Sequence, residues 1–210
     1  MEEKKEELLK NGVSEEKTEA KKTKKKEIIS WVRELVIYGA IFVACVFLIP
    51  NYVVARTVVD GTSMERTLQN HDSILMEKIS YRFGEPKRFD VIIFYHFNDL
   101  KNQDKSDKDA YEYYVKRVIG LPGETVQIKG STIYINGKPL KEDYGKDPIE
   151  DPGRAEKPIT LGADEYFVLG DNREVSIDSR SESVGNVKCD WIAGKACVRV
   201  YPFSKVGGIE

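Results

Sequence analysis

Hydrophobic and polar positions divide this chain into three unlike stretches. Residues 1–27 are almost all charged or polar and show no apolar period, so they have no face to bury. From Leu35 to Val54 no charged residue occurs. A run of roughly 20 residues at ~1.5 Å rise spans the ~30 Å hydrocarbon core of a bilayer. Trp31 and Tyr52 stand near its two ends, where amphipathic aromatic rings favour the interface. The run is too long and too uniformly apolar for a buried core helix. It also lacks the A-x-A site before Pro50 that a cleaved secretory signal would carry. The pattern predicts a charged tail over 1–27 and a transmembrane helix over 28–54, with its apolar core at 35–54.

From residue 55 onward the signal changes to short β-branched and aromatic segments separated by glycine, proline and charged turns. Strands are predicted at Thr57–Asp60, Ser73–Ile79, Asp90–Phe97, Tyr113–Ile119, Thr125–Ile128, Thr132–Ile135, Tyr166–Leu169 and Ala196–Tyr201. Asn136-Gly137 between apolar residues marks a type I′ hairpin. Asn98–Asp109 reads as a polar loop, and Lys141–Pro158, with three prolines, as irregular. No long helix-period segment follows the span. The expected fold is mainly β: an antiparallel domain over 55–210 behind one N-terminal transmembrane helix.

Charge and composition narrow the function. A net charge of −2, with no basic face interleaved with aromatics, argues against a nucleic-acid partner. Two histidines and three scattered cysteines form no metal-ligand spacing, so no metal and no cofactor is expected. Cys45 lies in the apolar run as a packing residue, and Cys189 and Cys197 are read as two free thiols, with a bridge between them as the alternative in an oxidising compartment. Lys21, Lys22, Lys24, Lys25 and Lys26 flank the span on its N-terminal side. Positive flanks stay cytoplasmic, which predicts a cell-membrane protein with its N-terminus inside and its domain on the trans side.

Candidate chemistry begins at Gly61-Thr62-Ser63-Met64, where a serine follows a short β-like stretch and a glycine. Alone, such a serine is more often an ordinary turn residue than a nucleophile. A serine nucleophile needs a base, and neither His71 nor His96 sits in a motif that supports a Ser-His-Asp triad. Lysine is the other base for this task, provided that it is uncharged. Bringing it from about 10.4 toward ~7–8 takes roughly 3–5 kcal/mol of desolvation, so such a lysine belongs on a buried strand. Lys116 stands in Tyr113-Tyr114-Val115-Lys116-Arg117-Val118-Ile119. By pattern it faces either the interior or, on a half-exposed strand, solvent.

These residues resemble a family. Gly61-Thr-Ser63-Met-Glu-Arg-Thr-Leu68 is similar to the nucleophile box of type I signal peptidases, and Arg88–Phe94 to their next strand. Lys116–Glu124 resembles their lysine box, and Gly170–Arg180 their last box. The likeness runs in order from the anchor to near the C-terminus, and the compact form resembles the Gram-positive bacterial type. It implies a serine endopeptidase with a Ser63–Lys116 dyad, acting on signal peptides of exported preproteins beside the lipid bilayer.

By the same resemblance, the Ser63 backbone N–H contributes to the oxyanion hole. Gly61 stands where some members carry a hydroxyl donor, leaving a backbone group or the Thr62 hydroxyl to substitute. Ser176 is expected to hydrogen-bond the Lys116 ammonium, and Asp178 and Arg180 to form a salt bridge beneath it. Val59, Met64, Leu68, Tyr114 and Val115 are implied to line the substrate pockets. Two positions depart from the family: Arg66 replaces a usual proline, loosening the turn and adding charge, and Val175 a usual asparagine. A self-cleaving repressor of related fold would be cytoplasmic, with a DNA-binding domain that this chain lacks. A non-enzymatic membrane-tethered scaffold has only Arg66 in its favour.

Overall fold

Ile29–Val53 forms helix α1, whose apolar 18-residue window has a mean hydropathy of 2.2 and is not buried. Among the described residues it is the one helix long and apolar enough to cross a membrane. Its last ten residues, Ala44–Val53, are wound as a π-helix, and within them Pro50 has no N–H to give to an α ladder. The computed structural model describes residues 25–26, 29–98 and 103–209. Nearly all of the predicted charged tail, and residues 99–102 of the predicted polar loop, lie outside them.

Strand β1, Val54–Val58, follows α1 without a loop. This is three residues earlier than the predicted start, because pairing with β2 (Ser73–Glu77) begins at Val54↔Glu77. Ladder-like bonds from Val59 N–H to the Asp72 carbonyl and from His71 N–H to the Val59 carbonyl carry the pairing one step past β1. The chain then crosses a short helix α2 (Ser80–Phe83) into β3 (Val91–Phe97) and β4 (Tyr111–Gly120). Strands β5 (Thr125–Lys129), β6 (Thr132–Ile135), β7 (Lys138–Pro139) and β8 (Ile159–Thr160) make a separate antiparallel sheet in the order β7-β6-β5-β8. Its β6–β7 turn has positive φ at both Asn136 (51°) and Gly137 (76°), the type I′ geometry expected of that pair.

The remaining strands, β9 (Glu165–Leu169), β10 (Val187–Lys188), β11 (Ile192–Tyr201) and β12 (Gly207–Gly208), complete the larger sheet. Its order is β1-β2-β11-β3-β4-β9-β10, with β12 on β11, and all its pairings are antiparallel. The domain is thus mainly β, as expected. Strand β11 starts four residues before the predicted Ala196 because Ala193 and Gly194 carry no β signal. Gly194 is needed there: a Cβ would overlap the Glu77 carbonyl of the adjoining strand. Strands of two residues leave no readable pattern.

Three apolar clusters hold the domain together. Val126, Ile128, Ile133 and Ile135 of the small sheet pack with Ile119, Phe167 and Leu169. Val59, Met64, Leu68, Ile74, Met76 and Ile93 form a second cluster beneath the turn after β1. Ile92, Phe94, Val118, Tyr166, Val168 and Trp191 form a third. Strand β4 borders all three, and from Lys116 to Gly120 every one of its residues is buried. Cys45, Cys189 and Cys197 are free thiols.

Candidate active site

Strand β4 brings Lys116 opposite Ile92 of β3, in a central position between paired strands. Its side chain is 4% exposed. That burial pushes the amine from 10.5 down to about 8, against the opposing pull of Asp178 and Asp171. The interior orientation is therefore the one adopted. Lys116 Nζ lies 2.8 Å from Ser63 Oγ and donates to the Val115 carbonyl at 3.2 Å. It also sits 5.1 Å from the centre of the Tyr114 ring.

Ser63 stands on a tight turn that the sequence builds from two sides. Gly61 has φ +98°, a conformation that favours glycine, and its N–H donates to Asn70 Oδ1 at 3.0 Å. Behind Ser63, Met64 and Leu68 anchor the turn in the core, with Leu68 N–H donating to the Met64 carbonyl at 2.7 Å. The Ser63 carbonyl accepts from Asn172 N–H at 3.0 Å. The Ser63 N–H makes no hydrogen bond among the described residues. Gly170 lets the loop after β9 come this close, since a Cβ there would overlap Ser176 Oγ and the Ser63 carbonyl.

Two ion pairs underlie the turn. Asp178, fully buried, accepts from Arg180 Nε (2.9 Å) and Nη2 (3.0 Å), and from Gly170 N–H at 3.1 Å. This pair was expected. Arg117 and Asp171 form a second, with both side chains wholly buried and contacts of 2.9 and 2.7 Å. Thr67 joins it, donating to Asp171 Oδ2 at 2.5 Å and accepting from Arg117 Nη2 at 3.0 Å. Sequence reasoning did not predict this pair. The adjacency of Lys116 and Arg117 on a strand that reads as buried was its available signal.

A groove of about 640 Å³ opens at Ser63, between the β1 turn and β4. Val59, Met64, Tyr114 and Val115, four of the five residues implied to line the substrate pockets, line it, together with Gly61 and Thr62 of the turn. Leu68 does not: it is fully buried under the turn, where its side chain packs the second core cluster. Val58, Glu112, Tyr113, Val175 and Ile177 line the groove and were not predicted. The apolar ones are half-exposed, which on a strand or loop surface leaves no sequence signal. Ser176 also departs from expectation. Its hydroxyl makes no hydrogen bond among the described residues, so the bond to Lys116 is not formed. Its N–H donates to the Asn172 carbonyl and its own carbonyl accepts from Arg180. Of the histidines, His96 stacks on Tyr114 and His71 contacts Asn70.

Arg66 corrects a second expectation. It does not loosen the turn, because Nη1 donates to Asp143 Oδ1 at 3.3 Å and to the Gly145 carbonyl at 3.2 Å. Its φ is +94°, which proline, locked near −65°, cannot adopt. Arg66→Pro is therefore expected to destabilise the domain by more than about 1 kcal/mol. Arg66→Gly, relieved of a strain of order 1–3 kcal/mol, is expected to hold wild-type stability or better. Urea unfolding midpoints of the two variants check this.

Comparison with known proteins agrees with the geometry. Residues 28–201 match the family described as signal peptidase, peptidase S26. Over 159 residues the chain is 42% identical to Signal peptidase I of Leptolyngbya laminosa, covering 76% of this chain and 74% of that one. It is 37% identical over 159 residues to Probable signal peptidase I-2 of Synechocystis sp., covering 76% and 68%. With Signal peptidase IB of Staphylococcus aureus (strain COL) it shares 34% identity over 196 residues, covering 86% and 93%. On this evidence the chain belongs to the signal peptidase family, peptidase S26, and is a serine endopeptidase.

Proposed function

We propose that Ser63 and Lys116 are the catalytic dyad of a type I signal peptidase that removes signal peptides from exported preproteins at the outer face of the cytoplasmic membrane. The observation that carries this is the 2.8 Å contact between Ser63 Oγ and the buried Lys116 amine. In its neutral form Lys116 accepts the Ser63 proton as Oγ attacks the scissile carbonyl. The Val115 carbonyl, by holding one amine hydrogen, turns the lone pair toward Ser63. The Ser63 N–H stabilises the developing oxyanion, and the Thr62 hydroxyl on the groove is the second donor. The Lys116 ammonium then protonates the departing amine, leaving an ester on Ser63. Neutral again, Lys116 takes a proton from water as it attacks the ester and returns that proton to Ser63 Oγ as the acyl bond breaks, which restores both groups and releases the new acid, whose own proton goes to solvent.

The groove suits an extended chain, with Val58, Val59 and Met64 facing small residues before the scissile bond. Helix α1 is the anchor, and the lysines before it place the N-terminus in the cytoplasm and the catalytic domain, residues 55–210, outside. The test is cleavage of a preprotein with an A-x-A site by full-length protein in detergent from pH 6 to 10. Cleavage after the final alanine is expected to rise with pH to a plateau, with a midpoint near 8 as Lys116 loses its proton. Ser63→Ala should give no product. A flat pH profile, or an active Ser63→Ala variant, contradicts the dyad.

A further inference from the structure

Glu142–Lys146 belongs to the stretch predicted to be irregular, yet four of its five residues meet the nucleophile turn or the ion pairs beneath it, and Glu142 meets Arg173 of the loop after β9. Glu142 Oε1 pairs with Arg173 Nη2 at 2.8 Å, and Arg173 Nε also donates to the Gly170 carbonyl. Asp143 and the Gly145 carbonyl hold Arg66. Lys146 N–H donates to the Asp171 carbonyl at 2.7 Å, and Lys146 Nζ pairs with Glu65 at 3.0 Å. Between them, the Tyr144 ring lies over the Arg117 guanidinium, 3.7 Å from centroid to Cζ.

These contacts are unequal. The Arg66–Asp143 and Lys146–Glu65 pairs are open to solvent on at least one side, and screening leaves such pairs little energy. The Tyr144–Arg117 contact differs because Arg117 is wholly buried, and a cation against an aromatic face gains most when desolvated. Arg117 in turn holds Asp171 and the Thr67 hydroxyl, and Thr67 N–H donates to the Met64 carbonyl next to Ser63. Arg117 also follows Lys116 directly on β4. A shift at Arg117 therefore reaches both members of the dyad.

We infer that Glu142–Lys146 is a strap that sets the Ser63–Lys116 distance, and that Tyr144 is its positioning residue. The inference rests on the dyad reading above. Tyr144 does not line the groove, so the strap acts on the chemical step and leaves substrate affinity alone. Misplacement of reacting groups by about 1 Å costs up to ~100-fold in rate, and partial release of the strap is expected to cost about tenfold.

The experiment measures kcat, KM and the pH profile of full-length Tyr144→Ala, Tyr144→Leu and Tyr144→Phe on an A-x-A preprotein. Assays run well below each variant's unfolding temperature. Tyr144→Ala and Tyr144→Leu should each lose about tenfold in kcat, with KM within about twofold and the pH midpoint unmoved. Leucine fills the space but offers no aromatic face, so it separates the ring contact from mere packing and serves if the alanine variant fails to fold. Tyr144→Phe, which keeps the ring, should match wild type. A Leu variant with wild-type kcat, or a Phe variant as slow as Leu, overturns the inference. Ser63→Ala separates the two readings: if it still cuts, the dyad reading fails, and if it is inert while Tyr144→Leu is fast, only the strap fails.

Discussion

Lys116→Met is expected to abolish cleavage and at the same time to stabilise the fold. The rate loss follows from removing the group that takes and returns the proton, worth up to ~10⁴-fold. The gain in stability follows from the same burial that tunes the amine. Folded, Lys116 titrates near 8, against an ordinary 10.5. Between those values the unfolded chain binds the extra proton, so wild-type stability rises with pH through that window. Below pH 8 the ammonium is buried in the folded state at its full cost, about 3 kcal/mol relative to high pH. Met removes that cost. Its stability advantage should be largest at pH 7 and narrow by about 2 to 3 kcal/mol by pH 10. Urea unfolding of both proteins across that range measures it, and a pH-independent difference would show that Lys116 is not the titrating group.

Asp171→Asn is expected to be among the most damaging single changes available, costing about 3–5 kcal/mol. The reason is what it leaves behind: an Arg117 with no exposed surface that has lost the charge of Asp171. Replacing both residues together, Arg117→Met with Asp171→Leu, should be far milder, because desolvating two charges consumes much of what their attraction returns. By contrast, breaking the exposed Arg66–Asp143 pair from the Asp143 side should change stability by no more than about 1 kcal/mol. Chemical denaturation of the single and double variants gives these differences directly. A double variant as unstable as Asp171→Asn would mean that the pair contributes shape that apolar side chains cannot replace.

The uncharged run before Val54, the period-2 segments and the Asn136-Gly137 turn were legible because each states its environment in its own residue types. Lys116 was not legible by pattern. Both faces of β4 are covered from that residue on, and alternation identifies an inward side chain only where one face is wet. Leu68 was placed in the groove by resemblance to the family. The turn folds it under instead of outward. Arg66 was weighed as a lost proline because sequence alone carries no φ, and its partners lie 77 and 79 residues away. The Arg117–Asp171 pair spans 54 residues in the same way. Local chemistry is written locally, and the support beneath it is assembled from afar.

That distance has a bearing on how the protein comes into being. The Ser63 carbonyl is held by Asn172 and the Arg117 guanidinium by Asp171, both from the loop after β9. A nascent chain stopped short of residue 171 contains its serine and its lysine but neither Asp171 nor Asn172, the two residues of that loop that tie them down. Such a fragment is expected to cut an A-x-A preprotein far more slowly than the full chain, so competence arrives only when the segment from residue 171 onward has emerged and docked.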